Sequence, residues 1–132
     1  MERTYVMIKP DGMAKGLAGV IEKRIETAGF KVTKKKDFFM TEKLVREHYD
    51  FLVDKPFFAE ILKFMTCGIV CGMVVEGEGV IAGVRGIAGV TNPNEAAEGT
   101  IRKEFGTDKM RNVVHASDSP ETAEIEIARF FG

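Results

Sequence analysis

The run Ile69-Val70-Cys71-Gly72-Met73-Val74-Val75 carries no charged residue and no polar side chain beyond a thiol. A strand-length stretch that is apolar at every position has no face to give to water, so it belongs centrally in a sheet. The rest of the chain has to be arranged around it. Thr4-Tyr5-Val6-Met7-Ile8 reads as another buried strand, Phe30 to Met40 as a third, and Asn112 to Ala116 as a fourth. Lys9-Pro10-Asp11-Gly12 ends the first strand with turn chemistry. Leu17, Val20, Ile21, Ile25 and Ala28 recur at helical spacing, with Gly29 as the stop. Thr41 is an N-cap for a helix placing Leu44, Val45, His48, Tyr49 and Leu52 on one face. Asp54-Lys55-Pro56 opens another helix, with Phe57, Phe58, Ile61, Leu62 and Met65. Val80, Ile81, Val84 and Ile87 fit a short helix, and Thr100 to Phe105 a helical turn between loops at 91–99 and 106–110. Ser119 followed by Pro120 is a strong helix start, and Ala123, Ile127, Phe130 and Phe131 line one face of the closing helix. The order β-α-β-α-β-α-β predicts an α+β fold in the split-βαβ manner, a four-stranded sheet with helices on one face.

At 132 residues and 45% hydrophobic, the chain is expected to form one domain spanning 1–132. The net charge of −1 argues against a bulk nucleic-acid binder. The basic run Lys34-Lys35-Lys36-Asp37 reads as the solvated part of a strand. Met1-Glu2-Arg3 leads straight into a strand pattern without a secretory leader. No apolar stretch reaches about 18 residues, so no membrane span is implied and a cytoplasmic location is expected. Cys67 and Cys71 lack the further ligands a metal site would need; they read as buried, reduced thiols facing the same side of one strand.

Arg111-Asn112-Val113-Val114-His115-Ala116-Ser117-Asp118-Ser119 is the stretch that looks like a site. A strand ending on His115 carries the imidazole to a sheet edge, and the helix after it brings Glu126 back towards the ring. Gly77-Glu78-Gly79-Val80-Ile81-Ala82 formally matches a dinucleotide loop. It lacks the acidic residue on a following strand, and no Walker-type phosphate loop is present. His48 reads as structural.

Ile8-Lys9-Pro10-Asp11-Gly12, Glu47-His48-Tyr49, Pro56-Phe57-Phe58, Arg85, Thr91-Asn92-Pro93, Gly99-Thr100-Ile101-Arg102 and the stretch from Asn112 to Ser119 occur in this order along the chain. Together they resemble the nucleoside diphosphate kinase family, from about Arg3 to Phe131. The resemblance implies a ferredoxin-like βαββαβ fold with a four-stranded antiparallel sheet. It implies transfer of the terminal phosphoryl group of a nucleoside triphosphate to a diphosphate, with Mg2+ and a phosphohistidine at His115. It also implies roles for Lys9, Arg85 and Arg102 on phosphates, Thr91 as a hydroxyl donor, Tyr49 near the histidine, Asn112 on the sugar and Phe57 on the base. Glu126 and Ser117 would hold the imidazole. Mg2+ would ride on the nucleotide phosphates, with no ligand from the protein. The partners implied are nucleoside di- and triphosphates and further copies of the chain, a hexamer in preference to a tetramer, with no obligatory nucleic acid and no membrane.

The chemistry suits these residues. Imidazole, with an ordinary pKa near 6.5, is largely neutral and nucleophilic at pH 7. A covalent intermediate lets one nucleotide site serve donor and acceptor in turn. Catalysis of phosphoryl transfer is mostly positioning plus fixed positive charge. Stacking on Phe57 is indifferent to base identity, which fits broad specificity. Departures from the family pattern are Lys109 where relatives often place an apolar residue opposite the base, Ile69 in place of a proline, and Ala97-Glu98-Gly99 in place of Lys-Pro-Gly. The chain also stops at Gly132 where many relatives run on. An RNA-binding module on the same fold would need exposed sheet aromatics and a basic face; the first strand has one aromatic and the net charge is slightly negative.

Overall fold

The structure is a computed structural model that describes residues 2–132. Strand β1 (Glu2–Ile8) lies between β3 (Ile69–Gly77) and β4 (Val114–Ala116), and β2 (Lys31–Phe39) forms the far edge beside β3. Every pairing is antiparallel, and the order β2-β3-β1-β4 is the ferredoxin-like arrangement. The helices are α1 (Pro10–Ala14), α2 (Ala18–Thr27), α3 (Glu42–His48), α4 (Phe58–Met65), α5 (Val80–Ala88), α6 (Ile101–Phe105) and α7 (Pro120–Phe131).

Helices cover both faces of the sheet, not one as the sequence reading had it. Val6, Ile8, Cys71, Met73 and Val75 pack with Ile21 and Ile25 of α2 and with Val80, Ile81, Val84 and Ala88 of α5. Tyr5, Met7, Val70 and Val74 pack instead with Val45 of α3, Phe58, Ile61 and Met65 of α4, and Ile127 and Phe130 of α7. The reason lies in β1 and β3 themselves. They are apolar at successive positions, and successive side chains point to opposite faces, so both faces need cover. The Tyr5 ring stacks on Phe130 at 4.8 Å between centroids, a contact contributing about 1 kcal/mol beyond burial. Its hydroxyl lies where a side chain on Gly72 would sit, 2.6 Å from an added Cβ.

Local differences from the sequence reading have physical causes. Pro10 does not only break a strand; it sits at the first position of α1 with Lys9 as N-cap, where its fixed φ and missing N–H are tolerated. Helix α3 ends at His48, so Tyr49 is its C-cap and Leu52 belongs to a short 3-10 turn. Helix α4 starts at Phe58, with Phe57 as its cap, later than the 54–56 opening suggested. Cys67 is exposed ahead of β3, and only Cys71 is buried; both are free thiols. Strand β2 is an exposed edge bearing Lys34 to Lys36, with a register shift between Val32 and Lys34. Lysines and an irregularity on an edge discourage pairing with another sheet.

Helix α1 fixes where β4 begins. A Cβ at Gly12 would lie 2.8 Å from Ile8 Cγ2, 3.0 Å from Val113 Cγ1 and 3.1 Å from the Val113 carbonyl oxygen. Glycine is what allows the helix to close on that backbone. We expect Gly12→Ala to cost on the order of 2 kcal/mol through overpacking. A thermal melt should show a drop of several degrees; an unchanged melting temperature would mean that the contact yields freely.

Candidate active site

The site is built on a strained turn. Val113 has φ of +77°, and the N–H of Val114 donates to the carbonyl of Asn112 at 2.9 Å. This three-residue turn is the rarer, costlier kind, and a β-branched residue at its centre has to be held there by its surroundings. Two bonds hold it. The Val113 carbonyl accepts from the Lys9 N–H at 2.8 Å, and the Val113 N–H donates to Asp11 Oδ2 at 3.1 Å. The turn shortens β4 to three residues, where Asn112 to Ala116 was expected. Within the strand His115 pairs with Met7.

His115 Nε2 lies 2.9 Å from both Oε1 and Oε2 of Glu126, which is 5% exposed. The carboxylate therefore accepts a hydrogen bond from Nε2–H, which leaves Nδ1 as the nitrogen with a free lone pair. Ser117, fully buried, donates its hydroxyl to Glu126 Oε1 at 2.6 Å and accepts from the Tyr5 N–H at 3.1 Å. Glu126 is carried by α7, whose start is set by Ser119 Oγ accepting the Thr122 N–H at 3.1 Å. His48 stands edge-on to His115, with ring centroids 4.5 Å apart. Burial first, and then the neighbouring His115, Arg129 and Lys9, push the His48 pKa down to about 2, so His48 is neutral.

Lys9, Arg85 and Arg102 line the same pocket, a cavity of about 1110 Å³. Among the described residues no carboxylate lies within ion-pair distance of any of them. Lys9 Nζ donates to Asn112 Oδ1 at 2.9 Å. Arg102 donates to the carbonyls of Gly89 and Val114, both at 2.7 Å, and its buried Nε has no partner. Arg85 reaches the Ala116 carbonyl at 3.4 Å. Burial, then the Arg85 charge, lowers the Arg102 pKa to about 10. Buried cations without acidic partners are costly unless an anion completes them.

Asn112 Nδ2 donates to the Thr91 and Lys109 carbonyls at 3.0 and 3.1 Å. Phe57, 46% exposed, lines the pocket, as do Thr91, Tyr49 and Lys109. Burial, and then Glu126, raises the Tyr49 pKa, so it is an uncharged phenol. Of the residues that the sequence singled out, Ser117 alone stands behind the wall of the pocket rather than on it. His48, Glu126 and His115 offer donor atoms within 4.8 Å of one another. That set is nitrogen-rich, and its one carboxylate already accepts from His115 and Ser117, whereas Mg2+ takes six oxygens. The cationic lining fits phosphate oxygens, and a Mg2+ would come in on them.

A model of the nucleoside diphosphate kinase family matches residues 2–132. The chain belongs to that family. It is 50% identical to a nucleoside diphosphate kinase of Archaeoglobus fulgidus, over 99% of this chain and 87% of that protein. It is 48% identical to one of Deinococcus radiodurans, over 100% of this chain and 96% of that protein. Two solved nucleoside diphosphate kinase structures superpose closely. The Aquifex aeolicus enzyme has a TM-score of 0.94 at 44% identity, covering 99% of this chain and 95% of that one. The Halobacterium salinarum enzyme in complex with CDP has a TM-score of 0.95 at 45% identity, covering 98% and 87%.

Seen as a nucleoside diphosphate kinase, the chain has a charged pocket residue that sequence reading passed over. Arg129 lines the cavity and bonds His48. Its position three residues after Glu126 on one helix face was the available signal. Burying Lys9 beside Arg102 also has a measurable cost. Burial first, and then the Arg102 charge, lowers the Lys9 pKa from 10.5 to about 8. Between those values the unfolded chain binds more protons, so stability rises as pH climbs from about 8 towards 10.5; below 8 the buried charge is carried at full cost. We expect Lys9→Met to raise the stability of the unliganded protein at pH 7, on the order of 1–2 kcal/mol after the lost bond to Asn112 is deducted. The gain should fade as pH approaches 10. Denaturant midpoints against pH measure this, and a less stable variant at pH 7 would contradict it.

Proposed function

We propose that the chain transfers the terminal phosphoryl group of a nucleoside triphosphate to a nucleoside diphosphate, with His115 Nδ1 carrying the group between the two. The observation that carries the proposal is the pairing of His115 with Glu126 through Nε2, which leaves Nδ1 free in a pocket lined by Lys9, Arg85 and Arg102, none of them within ion-pair distance of a carboxylate among the described residues. Attack by Nδ1 on the γ-phosphorus forms an N–P bond as the P–O bond to the leaving diphosphate breaks. The proton on Nε2 stays against Glu126, whose charge offsets the positive charge growing on the ring. Ser117 keeps the carboxylate in place. The return step runs the same path with a second diphosphate in the pocket, which gives ping-pong kinetics.

Arg85, Arg102 and Lys9 face the charge that develops on the equatorial phosphate oxygens, and Thr91 adds a hydroxyl. Tyr49, uncharged, stands edge-on to His48 at 4.8 Å between centroids and lines the same pocket as His115. Asn112, oriented by three hydrogen bonds, would meet the sugar. Phe57 would stack on any base, with the stem of Lys109 opposite. Mg2+ bound to the nucleotide phosphates would neutralise part of their charge and fix their geometry. A relative crystallised with CDP supports a nucleotide as the ligand of this pocket. The same reading makes the protein a cytoplasmic homo-oligomer, a hexamer in preference to a tetramer. Exposed Val20, Phe39 and Ile69 are apolar surface that assembly would cover.

Incubation with γ-labelled ATP and Mg2+ without acceptor should leave an acid-labile, base-stable label on His115. Added GDP, CDP or UDP should remove it. Labelling of His115→Ala at the wild-type rate would overturn the mechanism. Arg102→Ala should lower turnover by about 10²–10³, as for loss of one oxyanion donor; a loss under tenfold would take Arg102 out of the site.

A further inference from the structure

Arg129 follows Glu126 by three residues on α7, and its NH1 donates to His48 Nδ1 at 3.0 Å. A guanidinium has donors only, so Nδ1 must be an unprotonated acceptor and the ring proton sits on Nε2. That choice has a cost: the His48 side chain is 1% exposed, and Nε2 has no hydrogen-bond partner. His48 Nδ1 is also 3.9 Å from Glu126 Oε2. A proton on Nδ1 would make His48 a third donor to a carboxylate that already serves His115 Nε2 and the Ser117 hydroxyl.

We propose that Arg129 is a positioning residue for the reaction: by occupying His48 Nδ1 it denies that nitrogen a proton and reserves Glu126 for His115. The proposal rests on the reading of His115 as the phosphoryl carrier. The groups facing His48 are Glu126 and Arg129 from α7, His115 from β4, Lys9 after β1, and Tyr49 and Glu47 beside it in the chain. Of these, Arg129 alone is hydrogen-bonded to the ring. Without it, moving the proton from Nε2 to Nδ1 relieves the orphaned N–H and points a donor at Glu126. Protonation of both nitrogens at lower pH strengthens that competing pair. His115 then loses its acceptor, and the ring that carries the phosphoryl group loses its fixed tautomer and orientation.

The test is Arg129→Met, which keeps an unbranched stem and removes the donor, set beside Arg129→Lys, which keeps a donor-only cation. Single-turnover labelling of His115 by γ-labelled ATP is followed from about pH 5.5 to pH 8.5, with ring-nitrogen NMR on the histidines. In the wild type His48 should show its proton on Nε2 and no titration above about pH 5. Arg129→Met should shift the proton to Nδ1, slow labelling at every pH and add an acid limb, the loss reaching about tenfold near pH 5.5, the lower end for losing a partner that orients a histidine. Arg129→Lys should restore the wild-type profile, and adding His48→Phe to Arg129→Met should abolish the new limb. A profile for Arg129→Met that superimposes on wild type, a limb that survives the loss of His48, or a wild-type His48 protonated on Nδ1 would each overturn the proposal. The NMR reading on the wild type stands even where a variant fails to fold. Wild-type protein that takes no label at all would instead overturn the phosphohistidine reading, while the NMR still decides the tautomer.

Discussion

The site depends on one carboxylate being accepted into the protein. Glu126 is nearly fully buried, and a charge there is tolerable only because donors surround it: His115 Nε2 on both oxygens and the Ser117 hydroxyl on one. Each of those donors is fixed by something else. Ser117 is tied to the first strand through the Tyr5 N–H, His115 is fixed by its place in β4, and Glu126 by a helix whose start is capped by Ser119. Sheet, helix and side-chain network therefore set one another's positions. A shift in any of them would leave a buried charge short of a partner, which is far costlier than losing an ordinary contact.

The pocket wall facing this network has the opposite character. Among the described residues, Lys9, Arg85 and Arg102 have only carbonyl or amide oxygens as bonding partners. Their charges remain uncompensated, which keeps the cavity ready for a polyanion. The two halves of the site thus divide the electrostatic work. One side holds a negative charge behind the histidine, and the other holds positive charge where phosphate oxygens would lie. The imidazole sits on the boundary between them.

Much of this was legible in the sequence, for reasons that can be named. Strands β1 and β3 announce themselves because each carries an apolar run, Tyr5 to Ile8 and Ile69 to Val75, and α7 because Ser119-Pro120 is an unambiguous start. What sequence could not show was where backbone geometry departs from local habit. Nothing about valine suggests a left-handed residue at 113; that conformation comes from Lys9 and Asp11, about a hundred positions away. Tyr49 fits a helical stripe, yet the helix stops one residue earlier. Two-sided cover of the sheet was implicit in the apolar strands, but the split-βαβ expectation of helices on a single face obscured it. Arg129 went unremarked, because its partner His48 lies 81 positions away. Residues whose roles come from local pattern were readable; those whose roles come from distant partners were not.

The bonds that shape the pocket span almost the whole chain: Tyr5 to Ser117, Lys9 to Asn112, and Asp11 to Val113. During synthesis the first strand leaves the ribosome long before anything exists for it to hold. Strand β1 can pair with β3 and bury most of its apolar surface in the meantime, but the edge that receives β4 stays open until residues 114–116 have emerged. The nascent chain thus acquires a hydrophobic core well before it acquires a phosphate pocket, and the reactive imidazole is set in place only when nearly every residue is available to restrain it.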